Sequence, residues 1–456
     1  MKKREFLAVG GAMPLMLAGC GGSGSGSAPV RLVNASVGYP ALGFMVETTQ
    51  ATSTDVVYGA ASPFETVQAG TVTMTLTVGG ASVASTNRNL SKDTRYTLVA
   101  YGFKDELKSL LVTESTVAPD SGRANINVLN TSVDVGSVDV YMQAANTADL
   151  SLATQIASGV TPQTQSQFYS ALPGTYYITV VGAGSLANGK TDVRFRSTGT
   201  ITIADQDIVT VILTPGASGT LANAIVLFQQ NGPDGSKGAT SFLNTQARLR
   251  VVTAIPDTAT VAVGPLPNST NGAQYLLPAT TGSDETGYAD VNTGAPPAIT
   301  YNGAPVTVTG SITQLAAGGD YTLAVFPDPN NGGTPAARLF LDDNTAPLGS
   351  AGVKYRLINL AYDNPTVSLR MTVNSQAAAS NVTFGVASPY TELSTPQTVA
   401  SSMIVYHGAY PIYTNPSQVL GTGNIFTEVI VSFTGTDSAP VVKQFTLSAQ
   451  DTVAIV

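Results

Sequence analysis

Val30-Arg31-Leu32-Val33-Asn34-Ala35-Ser36, VRLVNAS, returns more than three hundred positions later as YRLINLA at Tyr355 to Ala361. Two looser copies stand between them, INVLNTS at Ile126 to Ser132 and LRVVTAI at Leu249 to Ile255. In the first copy Val30, Leu32 and Asn34 share one face and Arg31, Val33 and Ala35 the other, which is the two-residue period of a strand. The restarts lie about a hundred residues apart, the size at which some seven short strands close a two-sheet sandwich. Four copies of one sandwich are therefore expected.

Working outward from each opening strand, the same order of parts recurs. β-Branched runs separated by turn residues follow, such as GTVTMTLTVGG from Gly70 and PGTYYITVVGAG from Pro173, and these predict hairpins. A late strand comes next: RYTLVAYG from Arg95, DIVTVILTPG from Asp207, DYTLAVFP from Asp320. A closing strand ends the unit: KSLLVTES at Lys108, AIVLFQQN at Ala224, ARLFLDDN at Ala337. Turn-rich segments at Ala118 to Gly122, Asn231 to Ala239 and Asp343 to Gly352 mark the boundaries. The expected fold is all-β: tandem immunoglobulin-like antiparallel β-sandwich domains, beads on a string, spanning 30–120, 121–232, 245–346 and 347–456. In the fourth unit the late strand is read at AQDTVAIV, after which the chain stops at Val456. That reading leaves a closing strand missing, with three outcomes open: Ser401 to Gly423 fills the place, the shorter sandwich ends in a protected edge, or a partner or second copy adds a strand to an exposed edge.

Only 11% of the 456 residues are charged, and Gly, Ala, Ser, Thr and Val dominate, a composition that favours strands over amphipathic helices. The formal net charge is −8; Lys2, Lys3, Arg4 and Glu5 contribute +2 of it, leaving −10 for the remainder. Nucleic acid is thereby excluded as an expected partner. Past the first residues no apolar run is long enough to span a bilayer.

The opening segment carries its own information. Met1 to Arg4 is basic, Phe6 to Leu17 is mostly apolar, and Leu17-Ala18-Gly19-Cys20 places small residues before the one cysteine. This resembles a bacterial lipoprotein signal, which implies that 1–20 is removed up to a lipidated Cys20. Lys3-Arg4-Glu5-Phe6-Leu7 is also similar to a twin-arginine export motif with Lys in place of the first Arg. Residues 21–29 follow as a Gly/Ser-rich tether. With Gly21 after the cysteine, resemblance to Gram-negative sorting patterns implies the outer membrane, on its periplasmic or cell-surface face. A single cysteine allows no disulfide within the chain, so stability rests on the cores.

Units one and four share a further detail, Tyr58-Gly59-Ala60-Ala61-Ser62-Pro63-Phe64 and Phe384-Gly385-Val386-Ala387-Ser388-Pro389-Tyr390. Together with the opening strand, the Gly-Thr-Tyr hairpin and the late Tyr-Thr strand, this resembles the bacterial exported proteins that carry the domain of unknown function family 4397. Units two and three lack the Ser-Pro element as written. The resemblance implies tandem β-sandwiches and no chemistry. The Ser-Pro elements themselves have two readings, the rim of a ligand site on a rigid scaffold or bends whose aromatics pack inward.

Few residues suggest catalysis or metal binding. His407, the sole histidine, stands in a strand-like VYHGAY with no G-x-S-x-G elbow to support a triad. Weak calcium candidates are Asp328, Asn330 and Asn331 in FPDPNNGG with Asp342, Asp343 and Asn344 in LDDN, oxygen-rich loops placed at one end of unit three; their spacing misses the EF-hand pattern. Tyr176, Tyr177, Tyr275 and Tyr301 offer aromatic surface for a sugar. No cofactor is expected. The expected function is a lipid-anchored envelope protein acting as a non-catalytic binding, adhesion or spacer module with a protein or glycan partner. The alternative is an anchored hydrolase of an envelope polymer that uses Asp290 and Asp320 as paired carboxylates.

Overall fold

The computed structural model describes residues 26–115, 117–147, 149–186, 192–216, 218–229, 238–265, 275–347, 352–394, 401–418, 423–436 and 439–448. The lipoprotein-like segment with Cys20, and Thr452 to Val456, lie outside the described residues. The chain is all-β, with a pair of sheets for each of the four units.

In unit one, the sheet that carries VRLVNAS runs Glu65–Gln68, Ser27–Ala35, Tyr96–Tyr101, Lys108–Thr113. The facing sheet runs Thr49–Gln50, Ala41–Val46, Gly70–Val78, Ala81–Leu90. The other units repeat the first sheet around Ala124–Asn130, Gln246–Thr253 and Gly352–Asn359. The sheets are not wholly antiparallel as expected. Each opening strand runs parallel to its late strand, with Arg31 opposite Thr97, Asn127 opposite Thr210, Arg250 opposite Thr322 and Arg356 opposite Thr427. The long excursion through the facing sheet returns the chain in the same direction, which is what a parallel pair requires.

Both faces of these strands are buried, which explains why they are nearly apolar throughout. On the inner face Val30, Leu32 and Leu98 join the core of unit one, and Tyr355, Leu357 and Ile430 that of unit four. On the outer face Val33, Ala35, Val99 and Val112 pack against Leu129, Ile212, Ile225 and Leu227 of unit two. In the same way Val252, Ala254, Ala324 and Phe326 of unit three pack against Ile358, Leu360, Val429 and Val431 of unit four. Independent beads on a string are thus corrected to two face-to-face pairs. The physical reason is that a sheet apolar on both sides must be covered on both. The pairs also touch: Ser218 N of unit two donates to Gly318 O of unit three at 3.1 Å.

Unit four is complete, which corrects the missing-strand reading. Its late strand is Ile425–Thr436 and its closing strand Ala439–Ser448, paired from Phe426 opposite Ser448 to Thr436 opposite Ala439. The hairpin Ser401–His407 and Tyr410–Gln418 belongs to the facing sheet. Hairpin and late strands share one alternation period, so counting strands from the sequence slipped by one, and the case for a captured strand loses its premise.

Candidate functional site

The repeated motif sets the two seams between paired units. Its asparagine works on the inner side. Asn34 Nδ2 donates to Tyr39 O and Val56 O, both at 3.0 Å, while its Oδ1 accepts from Ser36 N at 3.1 Å. Asn130 and Asn359 make the same three bonds in units two and four, and Thr253 substitutes with its hydroxyl in unit three. Each satisfies backbone groups that would otherwise be buried without partners where the chain leaves the strand.

The arginine of the motif works on the outer side. Arg31, fully buried, donates through Nε to Thr97 Oγ1 at 2.9 Å and to Glu114 Oε1 at 3.0 Å, and reaches Phe228 O of unit two at 3.3 Å. At the second seam Arg250 donates to Thr322 Oγ1 at 2.8 Å, and crosses to Thr427 Oγ1 at 3.2 Å and Ser448 O at 3.1 Å in unit four. Arg356 crosses back to Leu341 O at 3.0 Å and to the carboxylate of Asp342. Asp342 also lies 3.4 Å from Arg250 and accepts from Thr322 at 2.7 Å and from Tyr288. Two guanidinium groups from two units therefore share one carboxylate. Burial lowers the pKa of Arg31, with Glu114 opposing it, and raises that of Tyr288 well above the ordinary phenol value.

The Ser-Pro elements complete the seams, and the structure places them in all four units. Ser62 and Ser388 accept from Leu32 N and Leu357 N at 2.9 and 3.0 Å. Ser166 and Thr286 do the same for Val128 N and Val251 N, so units two and three carry the element as Ser166-Gln167-Phe168 and Thr286-Gly287-Tyr288. The aromatic two residues on covers the arginine: Phe64 lies 4.5 Å from the Arg31 guanidinium, Tyr390 lies 4.7 Å from Arg356, and Tyr288 lies 4.4 and 4.6 Å from Arg248 and Arg250. In unit two Asn127 replaces the arginine, and Phe168 is left 43% exposed. The glycine of the element, Gly59 or Gly385, takes a positive φ and donates to the carbonyl of Asn34 or Asn359. A Cβ there would also collide with Ser241 or Arg338 of the facing unit. Of the two readings of this element, the bend with an inward-packed ring is the one the geometry matches.

The weak calcium candidates do not come together. Asp328 stands at the turn between Asp320–Asp328 and Thr334–Asp342, whereas Asp342 ends the second strand, so the two loops lie about 26 Å apart at some 3.3 Å per residue. The hairpin itself separates them, which corrects their expected convergence. Asp342 is consumed by the seam and Asp343 by Lys354, 3.0 Å away. The side chain of Asn330 lies outside the described residues, and among those described no group of three His, Cys, Asp or Glu gathers as for a metal. Asp320 makes two bonds to Arg248, at 2.8 and 2.6 Å, and accepts from Asn344 at 2.7 Å in full burial. Asp290, one strand away on the other side of Arg248, is pushed up to about 7 by burial, which Arg248 opposes. The pair thus flanks a guanidinium instead of a cleft. His407 ends its strand against Phe433, ring centres 5.8 Å apart. Tyr176 and Tyr301 pack on the cores of units two and three, and Tyr177 faces the opposite side of its strand from Tyr176; Tyr275 is exposed.

The seam arginines were not singled out from sequence, although a signal existed: an arginine recurring on a strand apolar on both faces. A concave surface of about 540 Å³ opens where units one and two meet residues 345–347, lined in part by Tyr101, Phe103, Lys104, Asp134, Gln163 and Pro347. Its size is that of a small-ligand cleft between domains. No helix among the described residues is long and apolar enough to cross a membrane.

Comparison with known proteins adds little chemistry. No curated protein matches the chain. Among solved structures, the pilus adhesin SpaC from Lactobacillus rhamnosus GG in its open conformation is 10% identical, with 70% of this chain and 43% of that one covered at a TM-score of 0.14. This chain thus spans less than half of that adhesin, and a likeness of that size carries no argument. What the motifs implied is found in the family comparison: residues 28–141, the first sandwich and the opening of the second, match the Domain of unknown function (DUF4397).

Proposed function

We propose that the chain is a non-catalytic envelope protein, tethered through a lipid on Cys20, whose paired sandwiches form stiff blocks that hold a binding surface away from the membrane. The observation that carries this reading is the fate of the charged groups: Arg31, Arg250, Arg356, Glu114, Asp320 and Asp342 are buried in ion pairs that fasten strands and units together. Such pairs are desolvated and neutralised by each other, with less than 3% of any of these side chains exposed, so a substrate has no access to them. The cleft around Phe103, Lys104 and Asp134 is the surface offered to a protein or glycan partner of the envelope. Immobilised chain is exposed separately to polysaccharide and protein fractions of envelope extract. Retention of one fraction, lowered by Phe103→Ala with Lys104→Glu, is the expected result. Turnover of an envelope polymer that disappears in Asp290→Asn or Asp320→Asn would overturn the reading in favour of a hydrolase.

A further inference from the structure

Register places Leu98, Val211, Leu323 and Glu428 at one and the same position of the four late strands, each opposite the third residue of its opening motif. Leu98, Val211 and Leu323 fill the cores of their units. Glu428 occupies that core position in unit four with no exposed surface. Every buried carboxylate of the seams has an arginine, but among the described residues no Lys, Arg or His forms an ion pair with Glu428. Its Oε2 accepts from Thr446 Oγ1 at 2.7 Å, and its Oε1 has no hydrogen-bond partner among the described residues. The groups that face it are neutral or acidic: Tyr355 from the opening strand, Thr446 from the closing strand, Tyr413 from the hairpin and, from unit three, Glu285. A carboxylate in such a place costs far more than a carboxylic acid.

The same strand has its other face on the seam. Thr427, the preceding residue, accepts from Arg250 and Arg356 and exchanges a hydrogen bond with Tyr390 at 2.9 Å, while Val429 packs against unit three. One strand thus carries Glu428 on its inner face and the seam contacts of Thr427 and Val429 on its outer one. We propose that Glu428 is a proton-controlled latch: as the acid it lets the late strand sit between core and seam, and on losing its proton it loosens unit four and opens its contact with unit three.

Burial raises the carboxyl to about 8 from its ordinary 4.5. Since the folded state holds the proton more tightly than the unfolded one, the stability it contributes is complete below pH 4.5 and is lost as pH rises to 8, after which it is constant. The test compares urea unfolding of the full chain with its Glu428→Gln variant between pH 5 and 9, so that other titrating groups cancel. Glu428→Leu, the residue of units one and three, is a second variant. The unfolding constant of the wild type relative to either variant is expected to rise about tenfold per pH unit up to about pH 8 and then level off. Small-angle scattering should show the wild type, and not Glu428→Gln, expanding over the same interval. A flat ratio from pH 5 to 9 overturns the latch, and a rising ratio without expansion of the wild type overturns its link to the seam.

Discussion

Asp342→Asn removes a charge and almost no volume, and so isolates what the carboxylate does at the seam of units three and four. In the wild type Arg250 and Arg356 converge on Asp342, which also takes the hydroxyls of Thr322 and Tyr288. An Asn Oδ1 can still accept from the hydroxyls, but two guanidinium groups are left with no carboxylate and less than 3% exposed. Breaking a buried ion pair in this way costs about 3–5 kcal/mol. Arg250→Met should cost less, about 1–3 kcal/mol, because Arg356 and Asp342 then balance and the acceptors that lose a donor, on Thr322, Thr427 and Ser448, are neutral. Urea unfolding followed by far-ultraviolet circular dichroism reads both. With a slope of about 2 kcal/mol per molar, Asp342→Asn moves the midpoint of the units three and four transition down by about 1.5–2.5 M. Glu114→Gln should instead move the transition of units one and two. The reasoning fails if Asp342→Asn stays within about 0.5 kcal/mol of wild type, the range of an ordinary surface change, or if Arg250→Met is the more damaging of the two.

Other consequences are open to direct measurement. Ser388→Ala leaves Leu357 N buried without its acceptor and should destabilise units three and four by about 1–3 kcal/mol, with Ser62→Ala doing the same for units one and two; calorimetry checks both. Limited proteolysis should release fragments that hold units in pairs, since apolar seams join one to two and three to four; a ladder of single stable units would refute pairing. Cys20→Ser should move the protein from the membrane to the soluble envelope fraction with its circular dichroism spectrum unchanged, and persistent membrane retention would remove the lipid anchor from the proposed function.

Much of the architecture was legible in the residues because its causes are local. Alternation in VRLVNAS and its copies marks strands whatever surrounds them, and Gly, Pro and Asn clusters end them, so four all-β units followed directly. The Ser-Pro element was legible as a bend for the same reason. Its two disguised copies at Ser166 and Thr286 were not, because a hydroxyl that accepts from a strand N–H needs neither proline nor a fixed spelling around it.

Pairing of the units, by contrast, was decided only in three dimensions. A strand apolar on both faces says that something covers each side, and not whether that is a second sheet of the same sandwich or the flank of the next one. The partners of Arg250 illustrate the limit: Thr322 lies 72 positions away and Thr427 lies 177, in another unit. Asp342, from sequence no more than a weak calcium candidate in a polar loop, proved to be the shared counter-ion of two arginines. Glu428 sits in a run of apolar letters whose inner and outer faces only the register assigns, and its enclosure is set by strands far away in sequence. Charge type and strand period are properties of neighbouring residues, whereas desolvation depends on every segment that packs around a group, and that sum exists only once the chain has folded.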